Sequence, residues 1–302
     1  MTNEDTQDQQ DRADFQVGGH ERTLSKEEQL TQLGSYLDAH YPLPDFRPPW
    51  AGGDGDPSAA DAYIARLPDR TTHAAMLMLG SAVDHTMPGV VYLGEVSSTE
   101  APELSARIFH PSQPTPGVWA ISLHSGGWWR GAADALEFSW RPEVAAAAEL
   151  SGTTIIDLDH PLAPEHTVAE MCQAVEKAVD YARAQGATHI TIWGYSSGGA
   201  LAALNAQHAN ALVLTFPDLG SLAKLPEEIR AGKTLPEPHT WPESLVQVAS
   251  FDEIAAAPEG LAEEKQIEVR HYVSRHRIST PEVAREKIRD IAEFLRNVSM
   301  HR

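Results

Sequence analysis

Residues 190–204, ITIWGYSSGGALAAL, carry the strongest chemical signal in the chain. A β-branched run gives way at once to a small-residue helix, and the corner between them is Gly194-Tyr195-Ser196-Ser197-Gly198-Gly199. A serine on so tight a strand-to-helix turn is pushed out at the carboxyl end of its strand, with its hydroxyl exposed. Small flanks let strand and helix approach closely, and the helix N-terminus beneath favours developing negative charge. These features suit a nucleophile that attacks an acyl carbon. A phosphate-binding turn is the competing reading, but no G-x-G-x-x-G or Walker pattern is present.

An activated serine needs a base, an orienting acid and donors for the oxyanion. Consecutive glycines follow an earlier apolar run in His124-Ser125-Gly126-Gly127-Trp128-Trp129 and free backbone N–H groups to turn toward an incoming oxygen. The acid must come after the serine, then the histidine. Asp218, Asp252 and Glu253 end later apolar runs, and Asp252 would also suit a helix N-cap. His271 and His276 are the histidines near the end of the last run; His271 falls inside the strand pattern and reads as structural, whereas His276 follows it. No H-E-x-x-H or Cys/His cluster suggests a metal site, and no cofactor is expected.

At this point the chain resembles the hormone-sensitive-lipase-like carboxylesterases of the α/β-hydrolase fold. Their H-G-G-G compares with His124-Ser125-Gly126-Gly127, and their D-Y-R-L-A-P-E-H with Asp159-His160-Pro161-Leu162-Ala163-Pro164-Glu165-His166. The resemblance covers about residues 90–298. It implies Ser196 as nucleophile, His276 as base, and Asp252 as the acid, since the family's acid follows the strand after the one ending at Asp218. It places the oxyanion amides at Gly126, Gly127 and Ser197, and gives His124 a loop-shaping role. Departures are Ser125 for glycine, His160 and Pro161 for tyrosine and arginine, and Ser197 where Asp or Ala is usual. Trp128, Trp129 and Tyr195 are candidates for the substrate pocket; the tryptophans would serve equally as core.

The elements that must position these residues are legible as periodicity. The strand candidates are VVYLGEV, LSARIFH, GVWAISLH, TTIIDLD, HITIWG, ALVLTF, SLVQVAS and IEVRHYV. Helical patterns separate most of them from the third onward, including 168–185 and 281–297. The alternation predicts a mostly parallel eight-stranded sheet with helices on both faces, the first two strands pairing antiparallel at one edge. Residues 1–24 read as a disordered acidic tail. Residues 25–85 read as an N-terminal helical segment, with Ser25 and Glu28 as a capping box; the expectation is a small lid, with packing against the far side of the sheet as the alternative. Residues 86–302 would then form the catalytic domain.

Composition bounds the rest. The 302 residues include 23 Lys+Arg against 43 Asp+Glu, a formal net charge of −20. So acidic a chain repels phosphate backbones, and a nucleic-acid partner is not expected. No apolar run reaches the ~18–20 residues of a membrane span. The single cysteine, Cys172, excludes an intramolecular disulfide and reads as an inert thiol in a helix. A cytoplasmic location fits this, and a homodimer is compatible with it. The expected activity is cleavage of small to medium acyl esters of small molecules through an acyl-enzyme. The alternatives are an amidase or formamidase, an acyltransferase, or a non-catalytic ligand-binding relative.

Overall fold

The computed structural model describes residues 16–17, 20–21, 24–80 and 83–300. Most of the acidic stretch 1–24, and residues 81–82 of the N-terminal segment, lie outside the described residues. Eight strands form one sheet: β1 (Ser97–Ala101), β2 (Ala106–His110), β3 (Val118–Leu123), β4 (Thr154–Leu158), β5 (His189–Tyr195), β6 (Ala211–Thr215), β7 (Glu243–Ala249) and β8 (Ile267–Tyr272). Their spatial order is β1-β2-β4-β3-β5-β6-β7-β8. β3 through β8 run parallel; β2 lies antiparallel to β4, and β1 antiparallel to β2.

The first strand differs from expectation. VVYLGEV is not a strand: Pro88–Val91 forms a helical turn, and the edge strand is the polar segment Ser97–Ala101. Pro88 starts that turn with φ already set. β1 has four exposed residues out of five and reaches the sheet through its pairing with β2, so no apolar pattern marks it. The antiparallel edge pairing holds, with the strand displaced along the chain.

Central strands β4 and β6 are buried at every position. Such strands read as continuous apolar runs because helices cover both faces. On one face, α5 (Val168–Ala184) and α6 (Ser197–Leu204) pack on Ile121, Leu123, Ile192 and Leu214. On the other, α4 (Arg141–Ser151) and α7 (Pro281–Met300) pack on Ala120, Ile155, Trp193 and Val213. Cys172 is a free, buried thiol of α5. No helix of the described residues is long and apolar enough to cross a membrane.

The N-terminal segment folds as α1 (Lys26–His40), α2 (Ser58–Ala65) and α3 (Leu67–Leu79). Ser25 and Glu28 form the expected capping box at the start of α1. Leu30, Leu33 and Leu37 meet Tyr63, Ala74 and Leu79 in a separate small core. Met76 and Leu77, grouped with Ala74 and Leu79 in the sequence, point to solvent, each 57% exposed. The helical period explains the split: 74, 75 and 79 share one face, 76 and 77 the other.

One buried charge holds the back of the sheet. Asp157 of β4 is fully inaccessible; it accepts from Ser122 Oγ at 2.7 Å and from Arg141 Nε at 3.1 Å. Burial raises its pKa, and those two partners oppose the rise. Arg141→Leu would leave the Asp157 charge uncompensated. The expected cost is about 3–5 kcal/mol, read from urea unfolding. Changing both Arg141 and Asp157 to apolar residues should recover much of that loss.

Candidate active site

The corner after β5 is a sharp elbow. Ser196 has φ 57° and ψ −119°, a region that non-glycine residues rarely occupy and that costs roughly 1–3 kcal/mol. Its backbone is held on both sides: its amide donates to Thr215 O at 3.0 Å, and its carbonyl accepts from Gly199, Ala200 and Asp218 amides at 3.0–3.3 Å. Gly194 is required by approach distance. A Cβ there would lie 2.0 Å from Gly198 O and 2.6 Å from Gly199 N, inside backbone that cannot yield. All eight residues of α6 are buried, so the helix cannot back away.

The structure brings Ser196, His276 and Asp252 together in series. His276 Nε2 lies 2.8 Å from Ser196 Oγ, and His276 Nδ1 lies 2.7 Å from Asp252 Oδ2. Ser196 and His276 are 6% and 4% exposed. Asp252 follows β7, and its other oxygen, Oδ1, accepts the amides of Ile254 and Ala255 at 2.8 and 2.7 Å. Its carboxylate thus meets the His276 ring with one oxygen and two backbone amides with the other; the segment that follows is a bend, so the helix expected after it is not formed. Burial pushes its pKa up, but the His276 hydrogen bond and charge outweigh this and hold the carboxyl below its ordinary value.

The competing candidates sit nearby without reaching the imidazole's nitrogens. Glu253 Oε2 accepts the His276 backbone amide at 2.9 Å, fixing the loop that carries the ring. Asp218 donates its amide to Ser196 O and lines the cavity, and burial raises its carboxyl pKa. His271 is exposed on the edge strand β8, not the satisfied internal histidine expected from its strand position. An edge strand has one neighbour only, so its pattern does not report burial. Tyr195, expected in the pocket wall, does line the cavity, and it also donates its hydroxyl to the His276 carbonyl. Its ring stacks between Trp140 and His276, with centroids 5.9 and 5.5 Å away.

Facing Ser196 is the glycine loop after β3. Gly126 has φ 144°, and a Cβ there would overlap Arg130 O at 1.7 Å. The loop is braced by the second motif: Ala163 N donates to Trp128 O at 2.8 Å, and His160 stacks on His124 at 4.0 Å. Burial, then the nearby His124, lower the His160 pKa to about 3, so that ring is neutral. Of the three expected oxyanion amides, those of Gly126 and Ser197 donate to no protein acceptor among the described residues. The Gly127 amide donates to Ser197 Oγ at 2.9 Å. Ser197, one of the departures from the resembled pattern, therefore ties the glycine loop to the elbow.

A cavity of about 270 Å³ opens above Ser196. Trp128 and Trp129 line it while being largely buried, so each serves both as wall and as core. Trp128 is anchored by its indole N–H to Ser221 Oγ at 2.9 Å. The N-terminal segment supplies part of the wall through Phe46, Trp50, Ile64 and Leu67. Sequence reasoning missed Phe46, Glu253's role, and the arginines Arg130 and Arg277; the last two stand next to motif residues, but burial is invisible in one dimension. No group of three or more metal-ligating side chains occurs among the described residues.

Comparison with known proteins agrees with this architecture. A family model described as the alpha/beta hydrolase fold matches residues 120–222, from β3 through the elbow and α6 to just past β6. A hyperthermophilic esterase from the archaeon Pyrobaculum calidifontis superposes with a TM-score of 0.57 at 17% identity, covering 81% of this chain and 94% of that one. An esterase of the bacterial hormone-sensitive lipase family gives 0.59 at 15%, covering 91% and 99%. An esterase/lipase from an uncultured bacterium gives 0.60 at 14%, covering 89% and 98%. A search of curated proteins finds no match.

Gly194→Ala should destabilise the protein by at least about 3 kcal/mol in chemical denaturation, because the added methyl would overlap the backbone of Gly198 and Gly199. A loss below 1 kcal/mol would mean that strand and helix are not in the contact described. Strand order, elbow and matched segment lead to one identification: the chain is an α/β-hydrolase-fold protein, similar to esterases of the hormone-sensitive-lipase group.

Proposed function

We propose that this protein is a serine hydrolase that cleaves small to medium carboxylic esters. The observation that carries the reading is the continuous series Ser196 Oγ, His276 imidazole, Asp252 carboxylate at 2.8 and 2.7 Å. His276 Nε2 takes the proton of Ser196 as Oγ attacks the acyl carbon. Asp252 accepts from Nδ1–H, which selects the tautomer with a free Nε2 and stabilises the imidazolium. The imidazolium then protonates the leaving alcohol, and water repeats the sequence to release the acid from the acyl-enzyme.

The oxyanion would lie between the Gly126 and Ser197 amides, each worth roughly 3–4 kcal/mol of barrier. Gly127 joins them when its amide turns from the Ser197 hydroxyl to the more basic oxyanion. A cavity of about 270 Å³ suits a short acyl chain or a small alcohol. The N-terminal segment acts as a cap over this cavity; its support is that Phe46, Trp50, Ile64 and Leu67 form wall and not distant scaffold.

Activity on 4-nitrophenyl acetate and butyrate tests the reading. Ser196→Ala should lose about 10⁶-fold in kcat, and Asp252→Asn about 10⁴-fold, with melting temperatures within a few degrees of the parent. A fluorophosphonate probe should label the parent and not Ser196→Ala. Undiminished turnover by Ser196→Ala would end the proposal.

A further inference from the structure

The cavity wall of this acidic chain carries two guanidinium groups that lack full partners. Arg130 closes the oxyanion loop and is 8% exposed. Its Nη1 lies 3.8 Å from Asp61 Oδ1, the outer limit of an ion pair, and that carboxylate already accepts the Gly131 amide at 3.0 and 3.2 Å. Arg130 Nε has no hydrogen-bond partner. Arg277 follows His276 and lines the same cavity. Among the described residues it forms no ion pair within 4.0 Å and no hydrogen bond; its close contact is the ring of Phe46.

Both guanidiniums lie against that one ring, Arg130 at 4.6 Å and Arg277 at 4.0 Å from its centroid. Phe46 thus gathers two like charges from opposite sides of the active site. Burial, followed by the neighbouring Arg277, lowers Arg130 to about 10, which leaves it cationic at neutral pH. Arg130 has its carboxylate only at the limit of contact, and Arg277 feels Glu253 and Asp252 without an ion pair to either; burying charge so loosely paired is unfavourable, and a cation–π contact offsets it only in part. The planar N–H fork of arginine is matched to carboxylate, the ligand that would complete both groups. In a protein of net charge −20, a cationic pocket is a local exception that general electrostatics does not produce.

We propose that Arg130 and Arg277 form a carboxylate subsite, so that the preferred ester carries an anionic group held beside Phe46. This deepens the ester-hydrolase reading and rests on it for the reaction, not for the binding. Two matched pairs of substrates locate the charge. On the acyl side, 4-nitrophenyl hydrogen succinate is compared with 4-nitrophenyl 4-methylpentanoate. On the alcohol side, 4-acetoxybenzoate is compared with 4-isopropylphenyl acetate.

In Arg277→Met the anionic-to-neutral ratio of kcat/KM should fall about 10- to 100-fold for one pair, and Arg277→Lys should recover part of it. The pair that responds identifies the side of the ester that bears the carboxylate. Ratios unchanged in both pairs would overturn the proposal. Calorimetric titration of the parent with succinate and with 4-hydroxybenzoate gives a readout that needs neither a variant nor turnover. At least one should bind, and at least about fivefold more weakly when salt is raised from about 20 to 500 mM. Absence of binding by both overturns the subsite; binding without hydrolysis of any ester upholds it and removes the ester-hydrolase reading instead.

Discussion

The elbow at Ser196 is the constraint from which the rest of the site follows. A residue at φ 57° and ψ −119° is unfavourable by itself, and it persists because the surrounding backbone over-determines it. β6 holds the serine's amide, while the start of α6 and the segment after β6 hold its carbonyl. The close approach of β5 to α6 leaves no room for relaxation at Gly194. One strained residue thereby aims a hydroxyl out of the sheet and sets the helix N-terminus beneath it. The glycine loop, the His276 imidazole and the Asp252 carboxylate are arranged around that fixed point.

The supports of the three functional groups are separate but connected. Behind the serine, a chain of buried hydrogen bonds crosses the sheet from Trp193 to Thr215 (3.0 Å), to Gln247 (2.8 Å) and to Tyr272 (2.9 Å), ending on Asp290 of α7 (2.5 Å). This ties β5, β6, β7 and β8 to the helix that follows the base loop. Satisfied networks of this kind fix one arrangement of a core, since any other leaves polar groups unpaired. In front, Tyr195 and Glu253 grip the backbone of His276 at its carbonyl and amide. The imidazole is thus oriented by its own loop as well as by Asp252, as the proposed base role requires.

The N-terminal segment adds a small core of its own, closed against Ile278. Its value lies in what it brings to the cavity. Phe46 reaches between two arginines, one from the glycine loop and one from the loop that carries His276. Arg130 is also within 3.8 Å of Asp61 on α2. The N-terminal segment and the loops carrying Arg130 and Arg277 are therefore coupled through charge and aromatic contact.

Local physics made much of this legible in one dimension. Strongly periodic helices, fully buried strands and the capping box at Ser25 follow from hydrophobic spacing and side-chain hydrogen bonding, which are properties of neighbouring residues. The serine corner was readable because a turn so tight tolerates few residue types. The polar edge strand at 97–101 was not, because its place depends on pairing with β2 and it carries no apolar pattern. Among Asp218, Asp252 and Glu253 the resemblance already favoured Asp252; its contact with the imidazole was decided by the packing of β7 beside β8, which carries Asp252 Oδ2 to 2.7 Å from His276 Nδ1. The convergence of Arg130, Arg277 and Phe46 was likewise decided in three dimensions: residues 84 or more positions apart become neighbours only when separate loops close over the same end of the sheet.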